Sequence, residues 1–185
     1  MLEVLKFLGF TLLALRYFYW IGSSFERIQT YTLRVFVGQL IEGILLLFFF
    51  QQLFGKEHIL LFQPTLSTQL IGFLLVVIGV GIAFLAKQQL GDEWVYASAY
   101  IQQKAKRLIT TGAYSIVRHP IYTGILVSYL GAELLAGSWI WISMLFFLIP
   151  FYVQARKEEK LLLQHFGQKY KKYQSQTKML IPFIF

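Results

Sequence analysis

Residues 68–87 read TQLIGFLLVVIGVGIAFLAK, a run without a charged side chain before Lys87. About 20 apolar residues are what a helix needs to cross the hydrocarbon core of a bilayer. The whole chain of 185 residues shares this bias, with 57% hydrophobic and 14% charged residues. In soluble domains, roughly 45–50% of the residues are apolar and about 25% are charged. The sequence therefore predicts an all-α integral membrane protein.

Working outward from this run, the hydropathy pattern predicts about five transmembrane helices. The first is interrupted by Lys6 and Arg16. A cleaved signal peptide is the alternative there, but Arg16 breaks the apolar core and no small-x-small cleavage site follows. Gly137 and Ser138 alone separate the last two spans, which predicts a tight helical hairpin of two short helices. The five spans are residues 2–21, 32–54, 68–87, 120–136 and 139–155.

The basic residues predict the orientation, because Lys and Arg concentrate on the cytoplasmic side of membrane proteins. Residues 22–31, 91–119 and 156–185 share one side in a five-span chain, and they hold most of the Lys and Arg. We therefore expect an N-terminus outside, a cytoplasmic C-terminus and a cytoplasmic C-terminal helical cap. The length fits one membrane domain, residues 1–185.

Composition also excludes several classes of site. The chain has no cysteine, so disulfides, thiolate metal sites and cysteine nucleophiles are excluded. His58, His119 and His165 lack metal-ligand spacing, and we expect no metal. The net charge of +8 suits membrane flanks, and no nucleic-acid motif accompanies it.

Residues 111–124, TGAYSIVRHPIYTG, hold the first group of chemically unusual side chains. Pro120 disfavours helix at His119 and suits the first position of a helix, which places Arg118 and His119 at the N-terminus of the fourth span. Unpaired N–H groups and a positive dipole make that end a site for a carboxylate or phosphate. Tyr122 and Gly124 fall in the first turn, where glycine permits close approach. Arg118 as a headgroup anchor and Tyr122 as an interfacial aromatic remain alternatives.

The second group lies in residues 156–173, RKEEKLLLQHFGQKYKKY. Helical spacing predicts a carboxylate, Glu159, on an otherwise apolar stripe, with Arg156 beside it and Glu158 rotated about 100° away. The stripe comprises Glu159, Leu162, Leu163, Phe166, Tyr170 and Tyr173. An amphipathic helix on the membrane surface is the alternative. Two further carboxylates, Glu42 and Glu133, lie within spans; Glu42 can bond to a neighbouring helix and Glu133 can reach the outer interface.

Together, in this order, the two segments resemble the isoprenylcysteine carboxyl methyltransferase family and its phospholipid methyltransferase relatives. The resemblance covers residues 67–185, whereas residues 1–66 hold two spans without a matched motif. It is carried by Gly112-x-Tyr114-x-x-x-Arg118-His119-Pro120-x-Tyr122-x-Gly124, by Arg156-x-Glu158-Glu159-x-x-Leu162-x-x-x-Phe166-Gly167-x-x-Tyr170-x-x-Tyr173, by Ile181-Pro182-Phe183, and more weakly by Leu90-Gly91 with Trp94.

The resemblance implies S-adenosylmethionine as cofactor and a lipid-like or prenylated substrate, with prenylcysteine carboxylate as first choice. It implies that Arg118 and Arg156 hold anionic groups as catalytic residues. The cofactor-binding residues implied are Tyr114, His119, Tyr122, Gly124, Glu158 and Glu159. Membrane lipids are expected partners, nucleic acid is not, and no pattern indicates an oligomeric state.

Three other functions are also compatible with the sequence. The first is N- or S-methylation of a phospholipid or other small amphiphile, which needs a proton acceptor such as His119 or a glutamate. The second is an NADPH-dependent reductase of the steroid-reductase type, although the Glu158–Glu159 pair disfavours a polyanionic cofactor. The third is a non-enzymatic membrane scaffold.

Overall fold

The computed structural model describes residues 2–25, 33–55, 62–91, 107–137 and 141–182. All regular structure in these ranges is helical. A short 3₁₀ turn, Gly112–Ser115, precedes the fourth of six α-helices. The helices are α1 (Leu2–Phe25), α2 (Leu33–Phe54), α3 (Leu66–Leu90), α4 (Pro120–Ala136), α5 (Trp141–Phe166) and α6 (Gln168–Gln176).

Close packing of α3 against α4 forms the centre of the molecule. Glycines on both helices allow the backbones to meet: a Cβ on Gly79 would lie 2.4 Å from the backbone nitrogen of Ser128. On α4, a Cβ on Gly131 would lie 2.5 Å from the carbonyl oxygen of Gly72, and one on Gly124 would meet α3 just as closely. Small residues at this spacing are how membrane helices approach without a water-driven hydrophobic force.

The N-terminal helices are joined to this pair by a polar contact within the apolar layer. Arg16 of α1 is buried, donates to the Glu42 carboxylate of α2 and lies 3.4 Å from the Tyr129 hydroxyl of α4. Phe49 stacks on Tyr129 with ring centroids 5.5 Å apart. The prediction that Glu42 bonds to a neighbouring helix is confirmed, and a buried pair of this kind fixes how the helices pack. Glu133 is buried within the protein in the last turn of α4, and its place relative to the outer interface stays a prediction.

The entry into α4 follows the sequence prediction. Pro120 occupies the first turn of the helix and His119 is its N-cap. Gly112 has a φ of +62°, in the left-handed region that favours glycine, and the Gln89 side chain accepts a 3.0 Å hydrogen bond from the next amide, that of Ala113. This turn is thereby held against the end of α3.

The predicted single stripe from Glu159 to Tyr173 is wrong, because the helix breaks at Gly167. This residue has a φ of +55°, ends α5 and begins α6. Glu159, Tyr170 and Tyr173 are buried, whereas Leu163 is exposed. The break allows α6 to fold back, so that Tyr170 and Tyr173 lie near the N-terminal end of α4.

Three described helices, α1, α2 and α3, are long and apolar enough to cross a membrane by length and composition. The fourth predicted span coincides with α4, which is apolar but shorter. The fifth lies in the first part of α5, which continues without interruption to Phe166. The hairpin residues 138–140, together with Trp94, Lys104, Lys106 and Phe183, lie outside the described residues.

Candidate functional site

Three parts of the chain meet at the N-terminal end of α4. They are residues 117–123, the C-terminal half of α5, and the segment that follows α6. A parallel bridge joins Val117 to Lys178, and the amides of Arg118 and His119 donate to the carbonyls of Lys178 and Met179 at 2.8 and 3.1 Å. Thr123 adds a 2.7 Å hydrogen bond to the Leu180 carbonyl. The C-terminal segment therefore docks on the N-terminal end of α4.

His119 lies between the two carboxylates of α5. Its Nδ1 is 3.3 Å from Glu158 Oε2 and its Nε2 is 3.6 Å from Glu159 Oε1. Burial alone would lower the pKa of His119, but hydrogen bonds and the negative charges of Glu158 and Glu159 raise it above the usual value. The ring is 7% exposed, and its Nε2 has no hydrogen-bond partner among the described residues.

Glu159 is the centre of an ion-pair network. Burial would raise the pKa of Glu159, but its bonds to His119 and Arg118 outweigh this and lower the pKa. Arg118 donates through Nε to Glu159 Oε1 at 2.5 Å and through Nη1 to the carbonyls of Gln174 and Thr177. Gln174 donates to the other carboxylate oxygen at 3.3 Å. Arg118 thus fixes both Glu159 and the turn after α6.

Glu158 has different partners from Glu159, as the rotation of about 100° predicts, although both carboxylates contact His119. The Tyr122 hydroxyl and the Gln154 amide donate to the same Glu158 oxygen, Oε1. Tyr122 also stacks between the rings of His119 and Phe151, with centroid distances of 5.6 and 4.9 Å. This stack fixes the orientation of the Tyr122 hydroxyl and the imidazole.

Tyr114 and Gly124 take up positions that the sequence alone did not specify. Tyr114 is buried, and its carbonyl accepts a 2.6 Å hydrogen bond from the Tyr173 hydroxyl. Burial, with Tyr173 and the Glu158 charge nearby, raises the pKa of Tyr114. The backbone of α3 lies close to Gly124, so helix packing accounts for a glycine at this position. Contact of either residue with a cofactor stays a prediction.

Arg156 lies at the edge of this cluster. Its Nη1 is 3.9 Å from Glu159 Oε2, and 55% of the side chain is exposed. Arg156 and Arg118 also line a cleft of about 380 Å³. The remaining lining comes from residues 174–179. Arg156 is therefore the cation of the cluster with the most freedom to turn toward a ligand.

Sequence reasoning missed the share of the C-terminal segment in this site. Gln174, Tyr173 and the carbonyl of Thr177 hold Arg118, Glu159 and Tyr114 in place. The sequence places the two tyrosines of α6 on an apolar stripe and in the motif that carries the resemblance, but not in the site. A single backbone bridge between residues 117 and 178 leaves no periodic pattern, so no local signal predicts it.

Comparison with known proteins places the site within a matched region. Residues 67–169 match the family model described as phospholipid methyltransferase. This region contains α3, α4, all of α5 and every predicted site residue. Residues of α1 and α2 lie outside the match.

Curated relatives carry similar names. The chain is 32% identical over 121 residues to protein-S-isoprenylcysteine O-methyltransferase of Schizosaccharomyces pombe, covering 64% of this chain and 50% of that protein. The enzyme of the same name from Saccharomyces cerevisiae is 30% identical over 129 residues, covering 67% and 54%. Methanethiol S-methyltransferase of Pseudomonas deceptionensis is 38% identical over 72 residues, covering 37% and 26%. The chain spans about half the length of the first two relatives.

Proposed function

Because this chain belongs to the phospholipid methyltransferase family, whose model matches more than half of its residues, we propose that it is a membrane methyltransferase using S-adenosylmethionine. The acceptor we propose is a lipid-like molecule, most specifically the carboxylate of a prenylated cysteine. The observation that carries the proposal is the placement of His119 between Glu158 and Glu159 at the N-terminus of α4. Relatives named protein-S-isoprenylcysteine O-methyltransferase support the choice of acceptor.

The residues of the cluster fit this cofactor. S-adenosylmethionine carries a sulfonium, an ammonium group, a carboxylate and ribose hydroxyls. The carboxylates of Glu158 and Glu159 suit its positive charges and hydroxyls. The buried Nε2 of His119, which lacks a hydrogen bond within the described ranges, is a further polar atom for a ligand to reach. Bound there, the cofactor supplies an electrophilic methyl group.

The protein's part in such a reaction is alignment. Orientation of two reactants contributes roughly 7–11 kcal/mol when their geometry is fixed. Arg118 acts as a positioning residue, since it holds Glu159 and the turn after α6 at once. Tyr122, stacked between His119 and Phe151, holds Glu158 in the same way. Arg156 is the group we assign to the acceptor's carboxylate.

The direction of the pKa shift of His119 favours a carboxylate acceptor over an amine or thiol. A carboxylate is ionised at neutral pH and needs no base. An amine or thiol must lose a proton, and a general base works best when it is unprotonated near the operating pH. The negative charges of Glu158 and Glu159 raise the pKa of His119, which favours the protonated ring and disfavours its use as a base.

The topology we propose has five spans, with the N-terminus outside and the C-terminus in the cytoplasm. Three long apolar helices and the shorter α4 account for four spans, and the first part of α5 for the fifth. The polar half of α5 and α6 then form a cytoplasmic cap over the site. The chain would act as one membrane domain, with residues 67–185 as its methyltransferase-like core.

Other candidates have less support. S-methylation of a small thiol is favoured by the similarity to methanethiol S-methyltransferase, which covers a shorter region. An NADPH-dependent reductase would place phosphates beside Glu158 and Glu159, which repel them. A non-enzymatic scaffold would give the buried His119 cluster no role in binding a ligand. Burying such charges costs stability, so a cluster without a role is unexpected.

A panel of acceptors tests the substrate. Protein reconstituted in vesicles is given methyl-labelled S-adenosylmethionine with acetyl-farnesylcysteine, phosphatidylethanolamine or methanethiol. We expect labelling of acetyl-farnesylcysteine, because its carboxylate needs no base, and release of the label as methanol by mild alkali shows an ester. Farnesylcysteine amide, which lacks the carboxylate, is the matched control. Label in phosphatidylethanolamine or methanethiol alone would refute the carboxylate assignment.

A further inference from the structure

The cleft beside the cluster has a charge that the proposed reaction does not explain. It measures about 380 Å³ and is lined by Arg118, Arg156, Lys178 and their neighbours at residues 174–179. Small-ligand sites usually occupy about 300–1,000 Å³. The cleft is therefore large enough to hold a ligand of its own.

The three cations of the cleft retain unused hydrogen-bond donors. Arg118 donates through Nε to Glu159 and through Nη1 to two carbonyls. Its Nη2 has no hydrogen bond among the described residues. Arg156 makes one long contact of 3.9 Å, and the exposed Lys178 ammonium has no ion pair in the part of the chain that the structure describes. Glu159 is buried and neutralises one cation of the three. The cleft thus carries excess positive charge.

The position of the cleft points to a membrane-bound anion. The Lys178 carbonyl accepts from the Arg118 amide, two residues before α4 begins, so the cleft lies at the edge of the fourth predicted span. Two large apolar side chains near this contact in the chain are exposed: Ile116 to 56% and Ile181 to 42%. Cations next to exposed apolar side chains at the end of a span are typical of the lipid headgroup layer.

We propose that this cleft binds the phosphate of an anionic phospholipid headgroup. The Nη2 of Arg118 and the Lys178 ammonium suit the phosphate oxygens, and Arg156 at the edge of the cleft adds positive charge. Ile116 and Ile181 would contact the acyl chains. Arg118 and Arg156 also contact Glu159, so an occupied cleft would be coupled to the His119 cluster.

Binding of a short-chain lipid to the purified protein tests this proposal without any methyl transfer. Calorimetry in a non-ionic detergent compares dihexanoyl phosphatidylglycerol with the zwitterionic phosphatidylcholine of the same chain length and with inorganic phosphate. We expect saturable binding of phosphatidylglycerol that is weakened about tenfold or more by Lys178→Glu. Lys169→Glu, the same change on an exposed lysine of α6 outside the cleft, should leave the affinity within about twofold.

Three results would overturn the proposal. Equal binding of phosphatidylcholine would show that the cleft does not recognise an anionic headgroup. Equal weakening by Lys178→Glu and Lys169→Glu would show general attraction to a basic surface. Binding of inorganic phosphate as tight as that of phosphatidylglycerol would assign the cleft to a free anion. A thermal unfolding curve like that of the unaltered protein shows that each variant is folded. The cleft test is independent of the cofactor, so its failure and that of the proposed function are distinguishable.

Discussion

Glu159→Gln is expected to lower kcat/KM for methyl transfer by roughly 100-fold or more, with a comparable loss of S-adenosylmethionine affinity. The change keeps the shape of the side chain but removes the buried charge that Arg118 and His119 both contact. Breaking one side of a buried ion pair costs roughly 3–5 kcal/mol, because the remaining charges are left uncompensated. Steady-state kinetics and calorimetry on the purified protein measure the two effects.

Two further variants separate loss of the site from loss of the fold. Glu3→Gln removes an exposed carboxylate that pairs with Lys6 on the surface of α1, and it should behave like the unaltered protein. The double variant Arg118→Gln with Glu159→Gln removes both members of the buried pair. It should regain part of the thermal stability that Glu159→Gln loses, yet stay without cofactor affinity. Normal cofactor affinity of Glu159→Gln would show that Glu159 is not part of the cofactor site.

Gly79→Ala is expected to destabilise the protein by about 1–3 kcal/mol, or to prevent its folding. The added Cβ would lie 2.4 Å from the Ser128 nitrogen and 2.5 Å from the Gly124 carbonyl oxygen, and both are backbone atoms that cannot rotate away. The two helices must separate to accept it. Thermal unfolding in detergent, followed by circular dichroism, measures the effect.

Gly81 provides the matched control, two residues further along α3. A Cβ on Gly81 would meet no atom within 4 Å. Gly81→Ala should therefore leave stability unchanged or raise it by up to about 1 kcal/mol, since alanine is the better helix former. Equal destabilisation by the two alanines would show that lipid contact, rather than the α3–α4 contact, controls stability at these positions.

Much of the helical framework was predictable because each signal is local. Apolar length indicates a span, and Pro120 marks the start of α4, where the structure has it. The spacing of Glu158 and Glu159 predicts that they face different partners, which Tyr122 and Arg118 confirm. The structure also brings Arg118, His119, Tyr122, Glu158 and Glu159 into one cluster, from two segments that the sequence singled out separately.

The rest depends on contacts between residues far apart in the chain. Helical spacing carried the stripe through Gly167, because periodicity counts residues and does not detect a left-handed glycine. Arg118 was expected to hold a ligand's anion; its bonds to Glu159 and to two carbonyls of the C-terminal turn have no counterpart in the sequence pattern. The glycine at 124 suggested a close ligand, whereas the neighbour is the backbone of α3. No local pattern distinguishes these alternatives.

The central claim, that the His119 cluster binds S-adenosylmethionine, is tested most directly by calorimetric binding to the purified protein in detergent, with NADPH titrated in parallel. We expect saturable binding of S-adenosylmethionine and none of NADPH, because the two carboxylates that flank His119 suit the positive charges of the former and disfavour phosphates beside them. Binding of NADPH alone, or of neither cofactor by a sample with an intact unfolding transition, would contradict it.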